Sequence, residues 1–294
     1  MEEHYSKNWY DRYYKVLLII PLLVIALSVI YLFGFYNNTG DILIRDSTLS
    51  GGTTISLYGS VNSDSLQSQL KPEFPDVYVR KITELRTGED IATVIDSSAQ
   101  PDQLRSAVEK IVGYQLDNDN SSIEFSGETL GKQFYRQLLF AVLFSFILMS
   151  LVVFFLFRAF VPSFAVIFAV IANTIMTLAV VDFMGLTISA AGIAAFLMLI
   201  GYSVDTDLLL TSRVLKRSDG TVNQRIYGAF KTGIFMTTAG LLAVLPAFFL
   251  VTGLPDSFRQ IFIILAIGLV ADIFNTWFTN ASLIKWYTLK RNMQ

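Results

Sequence analysis

Long apolar segments alternate with polar ones along this chain of 294 residues. Six of the apolar segments approach the about 20 residues that a helix needs to cross about 30 Å of hydrocarbon. They cover residues 16–36, 138–157, 162–181, 188–210, 233–251 and 258–283. The pattern predicts an α-helical membrane protein with six transmembrane helices, the last five of them in residues 138–283.

The segment between the first and second apolar runs, residues 37–137, has the composition of a soluble protein. Period-two alternation predicts strands at residues 53–58, 77–85, 91–95 and 122–125, and helical patterns cover residues 63–70 and 101–112. We expect Ser63 to cap the first helix and Gly113 to end the second. A turn is predicted at Thr87–Gly88. The order β-α-β-β-α-β predicts a ferredoxin-like α+β domain.

Polar residues between the last five runs indicate where the chain turns. Arg158 separates the second run from the third, and Asp182 with Gly185 marks a turn before the fourth. Residues 212–231 are predicted to form a polar loop. The first run ends without a small-residue cleavage site, so we expect a retained helix and not a signal peptide.

Basic residues are distributed unequally between the two sides of this arrangement. Twelve lie on the side that holds both termini and the 212–231 loop, whereas the opposite short loops hold one, Arg259. Short basic loops stay in the cytoplasm. We therefore predict that residues 1–15 and 284–294 are cytoplasmic and that residues 37–137 are extracytoplasmic.

Composition limits the chemistry that the chain could perform. It has no cysteine, which excludes disulfides and thiolate metal sites, and its one histidine is His4. The 37–137 domain contains no catalytic constellation, and Gly51–Gly52 before its first strand is more typical of a turn or bulge than of a ligand site. We expect a binding or mechanical protein that is not an enzyme, with no cofactor, no metal site and no nucleic-acid partner.

Three aspartates fall inside predicted spans, where charges are costly and often functional. Asp205 and Asp207 lie near the cytoplasmic end of the fourth span, and Asp272 lies about 21 Å into the sixth. Each could carry a proton or pair with a cation, and each could instead be a packing contact. Asp205 and Asp207 are about 200° apart on a helix, so they cannot both face one partner. Arg213 could take part in such a relay or anchor the interface.

Three sequence motifs resemble those of the SecD/SecF family, which is related to the RND exporters. Ser50–Thr53 (SGGT) is similar to the double-glycine motif, with Gly51 and Gly52, that opens the outer domain in this family. Residues 127–132 (GETLGK) resemble the segment that enters the second span. Residues 201–213 (GYSVDTDLLLTSR), with Gly201, Tyr202 and Ser203, resemble the fourth-span signature, which in bacteria is close to GYSxNDTxVVxDR. Here the acid is offset by one position, which resembles the archaeal, SecF-type variant.

The resemblance covers essentially the whole chain and implies an RND-like half-transporter in the cell membrane. It implies an auxiliary subunit of Sec protein export that acts with SecD, near the Sec channel, on unfolded or emerging secreted polypeptides. It further implies that intramembrane Asp205, Asp207, Asp272 and Arg213 are candidate proton or ion carriers.

Two other functions compete with this interpretation. A homo-oligomeric RND-type small-molecule exporter would have to assemble from two copies, because RND exporters usually carry twelve spans. An intramembrane aspartyl protease would need a GxGD-like motif, and none of the six spans contains one.

Overall fold

The computed structural model of the protein describes residues 9–83, 89–250 and 256–291, without the side chains of Trp9 and of residues 246–250 and 256–257. His4, the predicted Thr87–Gly88 turn, the end of the second predicted strand and the end of the fifth predicted span lie outside the described residues. Within them, six apolar helical segments are long enough to cross a membrane. This confirms the six-helix prediction.

Long helices account for most of the described chain. They are α1 (Trp9–Thr39), α5 (Glu128–Phe157), α6 (Phe160–Phe183), α7 (Ala190–Lys216), α8 (Val222–Leu250), α9 (Asp256–Asn275) and α10 (Ala281–Arg291). A π-helical segment, Thr276–Asn280, joins α9 to α10 and makes the sixth span continuous. A second feature absent from the sequence prediction is the short helix α2 (Ser47–Ser50).

Several helices extend past their apolar runs. The prediction of a loop over residues 212–231 is wrong, because α7 continues to Lys216 and α8 begins at Val222. Helix α5 begins at Glu128, well before residue 138. Hydropathy marks where a chain enters hydrocarbon, whereas a helix continues for as long as backbone hydrogen bonds and packing favour it.

The domain between α1 and α5, which we call the outer domain after its predicted location, is a four-stranded antiparallel sheet with two helices on it. Its strands are β1 (Gly52–Tyr58), β2 (Tyr78–Thr83), β3 (Asp90–Ser97) and β4 (Ser121–Ser126), and its helices are α3 (Ser63–Leu70) and α4 (Pro101–Val112). The strand order is β2-β3-β1-β4. Ile55 pairs with Ile95 on β3 and with Ile123 on β4. Element order and strand order together confirm the ferredoxin-like prediction.

The two helix ends of this domain test the capping predictions. Gly113 adopts a left-handed conformation at the end of α4, as expected. The cap of α3 is one residue earlier than predicted: the Asn62 side chain accepts a hydrogen bond from the Ser65 N–H, and Ser63 is buried in the first turn. Leu66, Leu104 and Val108 then pack with Ile55 and Ile95 in a single core between helices and sheet.

The double glycine lets two chain segments cross at backbone contact. Gly51 and Gly52 have φ of +83° and +126°. A Cβ atom on Gly51 would collide with the backbone of Glu128, and one on Gly131 would lie 2.7 Å from the Gly51 nitrogen. Two of the motifs noted in the sequence therefore form one contact, where the outer domain meets the first turn of α5.

Candidate functional site

Helix α7 lies at the centre of the bundle and packs against α6, α8 and α9. Its Ser203 and Asp207 are four residues apart and so share a face. Asp272, Thr276 and Asn280 repeat the same spacing on the opposing α9 and π-helical segment. The two rows of polar side chains meet in the interior of the bundle.

Hydrogen bonds connect the two rows. Ser203 Oγ donates to Asp272 Oδ1 at 2.5 Å, and Asn280 Nδ2 donates to Asp207 Oδ1 at 2.7 Å. The Thr276 hydroxyl lies between the carboxyls, 3.4 Å from Asp272 Oδ1 and in contact with Asp207. The site thus joins two carboxyls through hydroxyl and amide groups.

Both carboxyls are sealed from the exterior of the chain. Asp207 is 0% and Asp272 1% exposed, and the second oxygen of each is buried without a hydrogen-bond partner among the described residues. Within those residues neither carboxyl pairs with a lysine or an arginine. Two buried carboxylates repel each other, so such a pair is suited to take up a proton or another cation.

Asp205 faces away from this site. It is exposed on the surface of α7, as the 200° separation from Asp207 predicts. Met198, Gly201, Tyr202 and Asp205 follow helical spacing and form one exposed face, which we call the α7 face. Tyr202 is 50% exposed there, and a Cβ atom on Gly201 would meet nothing within 4 Å.

Arg213 binds the neighbouring helix. Its Nη1 donates to the Gly228 carbonyl of α8 at 2.6 Å, which directs the guanidinium toward α8. The structure therefore brings Asp207, Asp272 and Ser203 together, and it places Asp205, Gly201, Tyr202 and Arg213 outside this site.

Two features of the site are absent from the sequence prediction. Thr276 and Asn280 are not predicted as site residues, although they follow Asp272 by four and eight residues, a spacing that favours one helix face. The π-helical segment leaves no pattern in the sequence, and such segments often occur at functional positions.

A second charged cluster joins the described parts of the two predicted cytoplasmic tails. Lys285 is fully buried, its Nζ 2.7 Å from Asp11 Oδ1 and over the rings of Tyr10 and Tyr14. Asn223 donates to both oxygens of Asp11 at 2.9 Å. Residues 9–15 and 284–291 are thus helical and packed together, not free tails.

Comparisons with known proteins agree with this architecture. The family model for the C-terminal region of the SecD/SecF protein export membrane proteins matches residues 107–290. The protein-export membrane protein SecF of Methanolacinia petrolearia is 39% identical, over 97% of both chains. SecF of Pyrococcus furiosus is 34% identical over 94% of this chain and 92% of its own.

The crystal structure of SecDF from Thermus thermophilus shares the fold, with a TM-score of 0.75 at 19% identity over 94% of this chain. This chain spans only 38% of that longer SecDF chain. Full-length similarity to SecF proteins, the matched family region and the shared fold show that the chain belongs to the SecF family of protein-export membrane proteins.

Proposed function

We propose that this chain is the SecF half of a SecD–SecF complex, in which the Asp207–Asp272 site couples a proton or cation gradient to protein export. The two buried carboxyls, which have no basic partner among the described residues, carry this proposal. Binding of a cation between α7 and α9 changes the charge between these two helices. It thereby shifts the equilibrium between their possible arrangements.

The α7 face supports pairing with a second subunit. Asp205 lies about 22 Å along α7 from Ala190, so its carboxylate is within the span, where contact with lipid is costly. Gly201 leaves a notch that lets another helix approach closely. We assign this face to SecD, whose covering helix would present a hydrogen-bond donor or a basic group to Asp205.

The distribution of charge supports the orientation. Both termini and the α7–α8 connection carry basic residues and belong on the cytoplasmic side, and residues 37–137 belong outside. There the outer domain would contact emerging polypeptides beside the Sec channel and promote their translocation or release. Because the chain has no cysteine, single cysteines at Asp102 and Ser218 would report the two sides by labelling.

Asp272→Asn separates coupling from assembly. The asparagine has nearly the same side-chain volume and keeps the contact with Ser203, but it cannot bind or release a proton. We expect this variant to co-purify with SecD from native membranes. We expect the gradient-dependent part of its export to fall by about tenfold or more. Asp205→Asn should instead weaken the recovery of SecD, because it changes the α7 face, and the exposed Asp102→Asn should match the unmodified protein in both assays.

Two different outcomes would contradict this proposal. Full gradient-dependent export by Asp272→Asn would reduce the site to a packing contact. If SecD and channel components are both missing from the native complex, and a purified homodimer transports a small solute into vesicles, the RND-type exporter function is favoured instead.

A further inference from the structure

The outer domain is joined to the membrane bundle by a short stretch of chain, residues 41–51, which we call the junction segment. It pairs with the α6–α7 loop: Ile188 N donates to the Ile44 carbonyl at 2.6 Å, and Asp46 N donates to the Ile188 carbonyl at 3.2 Å. Leu43 and Leu49 are buried beside Ile188 in the outer end of the bundle. The segment is thereby anchored at the start of α7.

Polar contacts continue from this segment in both directions. Toward the bundle, the Ala190 N–H of α7 donates to Thr48 Oγ1 at 3.3 Å, and the same hydroxyl donates to Asp46 Oδ1 at 2.6 Å. Toward the sheet, the hydroxyls of Ser47 and Thr54 are in contact, and Thr54 donates to Asp96 Oδ1 at 2.5 Å. Asp46 therefore sits where the outer domain and α7 meet.

Asp46 is poorly placed to hold a charge. It is only 6% exposed, and the negative charge of Asp96 on β3 acts on it unfavourably. The cation that opposes this effect is Arg80 on β2, whose Nη2 lies 3.7 Å from Asp96 Oδ2. Burial is the largest cause that raises the pKa of Asp46, to about 7, with Asp96 adding to it while Thr48 and Arg80 oppose it.

We propose that Asp46 is a protonation-controlled latch, which holds the outer domain against the bundle when neutral and loosens that contact when ionised. Ionisation places a second negative charge opposite Asp96 across the junction. Leu43 and Leu49 keep the segment on the bundle in either state, so the sheet pivots on the segment and does not separate from it. An acidic outer face would close the latch.

The direction of the pH effect follows from linkage. An undocked, hydrated Asp46 would keep its ordinary pKa of 3.8, whereas the docked residue has a pKa of about 7. The docked state binds the proton more tightly, so docking is strongest at low pH and weakens as the pH rises from about 4 to about 7. Within that window the ratio of docked to undocked molecules changes by up to about tenfold per pH unit.

A distance measurement tests the latch in the full chain. Gln69→Cys on α3 and Met184→Cys on the α6–α7 loop are both at exposed positions, and the chain has no native cysteine to remove. With spin labels at these positions in lipid nanodiscs, we expect a single short distance at pH 5 and a growing longer-distance population as the pH is raised to 8. Asp46→Asn should hold the short distance throughout, while Asp102→Asn should follow the unmodified protein.

The latch is refuted if the unmodified protein shows no change with pH, or if Asp46→Asn follows the same curve. Thr48→Val removes the hydroxyl that donates to Asp46 and opposes the rise of its pKa, so the short distance should persist to higher pH than in the unmodified protein, whereas Thr48→Ser should follow the unmodified protein. A Thr48→Val protein identical to the unmodified one would also contradict the proposal. The measurement uses neither SecD nor a gradient, so it is independent of the coupling test.

Discussion

At the residue scale, neighbouring residues of one type occupy opposite environments. Asp205 and Asp207 are two positions apart, and one is exposed while the other is completely buried. Gly51 and Gly127 both come from the family motifs, yet only Gly51 has a positive φ and a backbone at the position of its missing Cβ. Residue type alone therefore does not determine the role of a side chain in this protein.

The two glycines make a matched pair of variants. Gly51→Ala forces a side chain into a left-handed conformation and against the backbone of Glu128, so we expect it to destabilise the protein by at least about 1–3 kcal/mol. Gly127 has a φ of −66° and open space around it, so Gly127→Ala should change little. Thermal unfolding in detergent measures both, and equal effects would contradict the close crossing at Gly51.

At the element scale, the π-helical segment sets how the sixth span meets α7. A π turn holds one more residue than an α turn, so it changes which side chains beyond it face a neighbouring helix. Here it allows Asp272 and Asn280 to contact α7 at Ser203 and Asp207 together. The irregular part of the sixth span therefore lies beside the two carboxyls.

Asn280 is the residue of this segment that bonds to Asp207. Asn280→Ala would leave the Asp207 carboxyl without its 2.7 Å donor, and we expect a loss of about 1–3 kcal/mol of stability. Ser150→Ala is the control, because the Ser150 hydroxyl donates only to the Phe146 carbonyl of its own helix. Thermal unfolding of the two variants should differ clearly, and an unperturbed Asn280→Ala protein would show that Asp207 does not depend on this amide.

At the scale of the whole molecule, α1 is held to the bundle near both of its ends. At its N-terminal end Lys285 pairs with Asp11 and lies over Tyr10 and Tyr14. Toward its C-terminal end Tyr31 packs edge-on against Phe183. Between them many α1 side chains are exposed and apolar, as suits contact with lipid.

Loss of the attachment at the N-terminal end should release that end of α1. Lys285→Met leaves Asp11 partly buried without its cation, and we expect at least about tenfold faster hydrogen exchange across residues 9–15. Adding Asp11→Asn removes the uncompensated charge, so the double variant should be less affected than Lys285→Met alone. Lys290→Met, which alters an exposed lysine over Trp286, serves as the control and should leave exchange unchanged.

The linear sequence by itself determined the six spans, the ferredoxin-like order of the outer domain and the family, because hydrophobic periodicity and motif spacing are local properties. Helix ends such as Lys216 and Glu128 were missed because backbone hydrogen bonding continues beyond the apolar runs. Only the tertiary structure decided which aspartates meet: Asp207 with Asp272 inside the bundle, Asp205 on its surface and Asp46 at the junction. The packing of the helices decides which side chains are buried and which become partners, because it brings together side chains that are far apart in the chain.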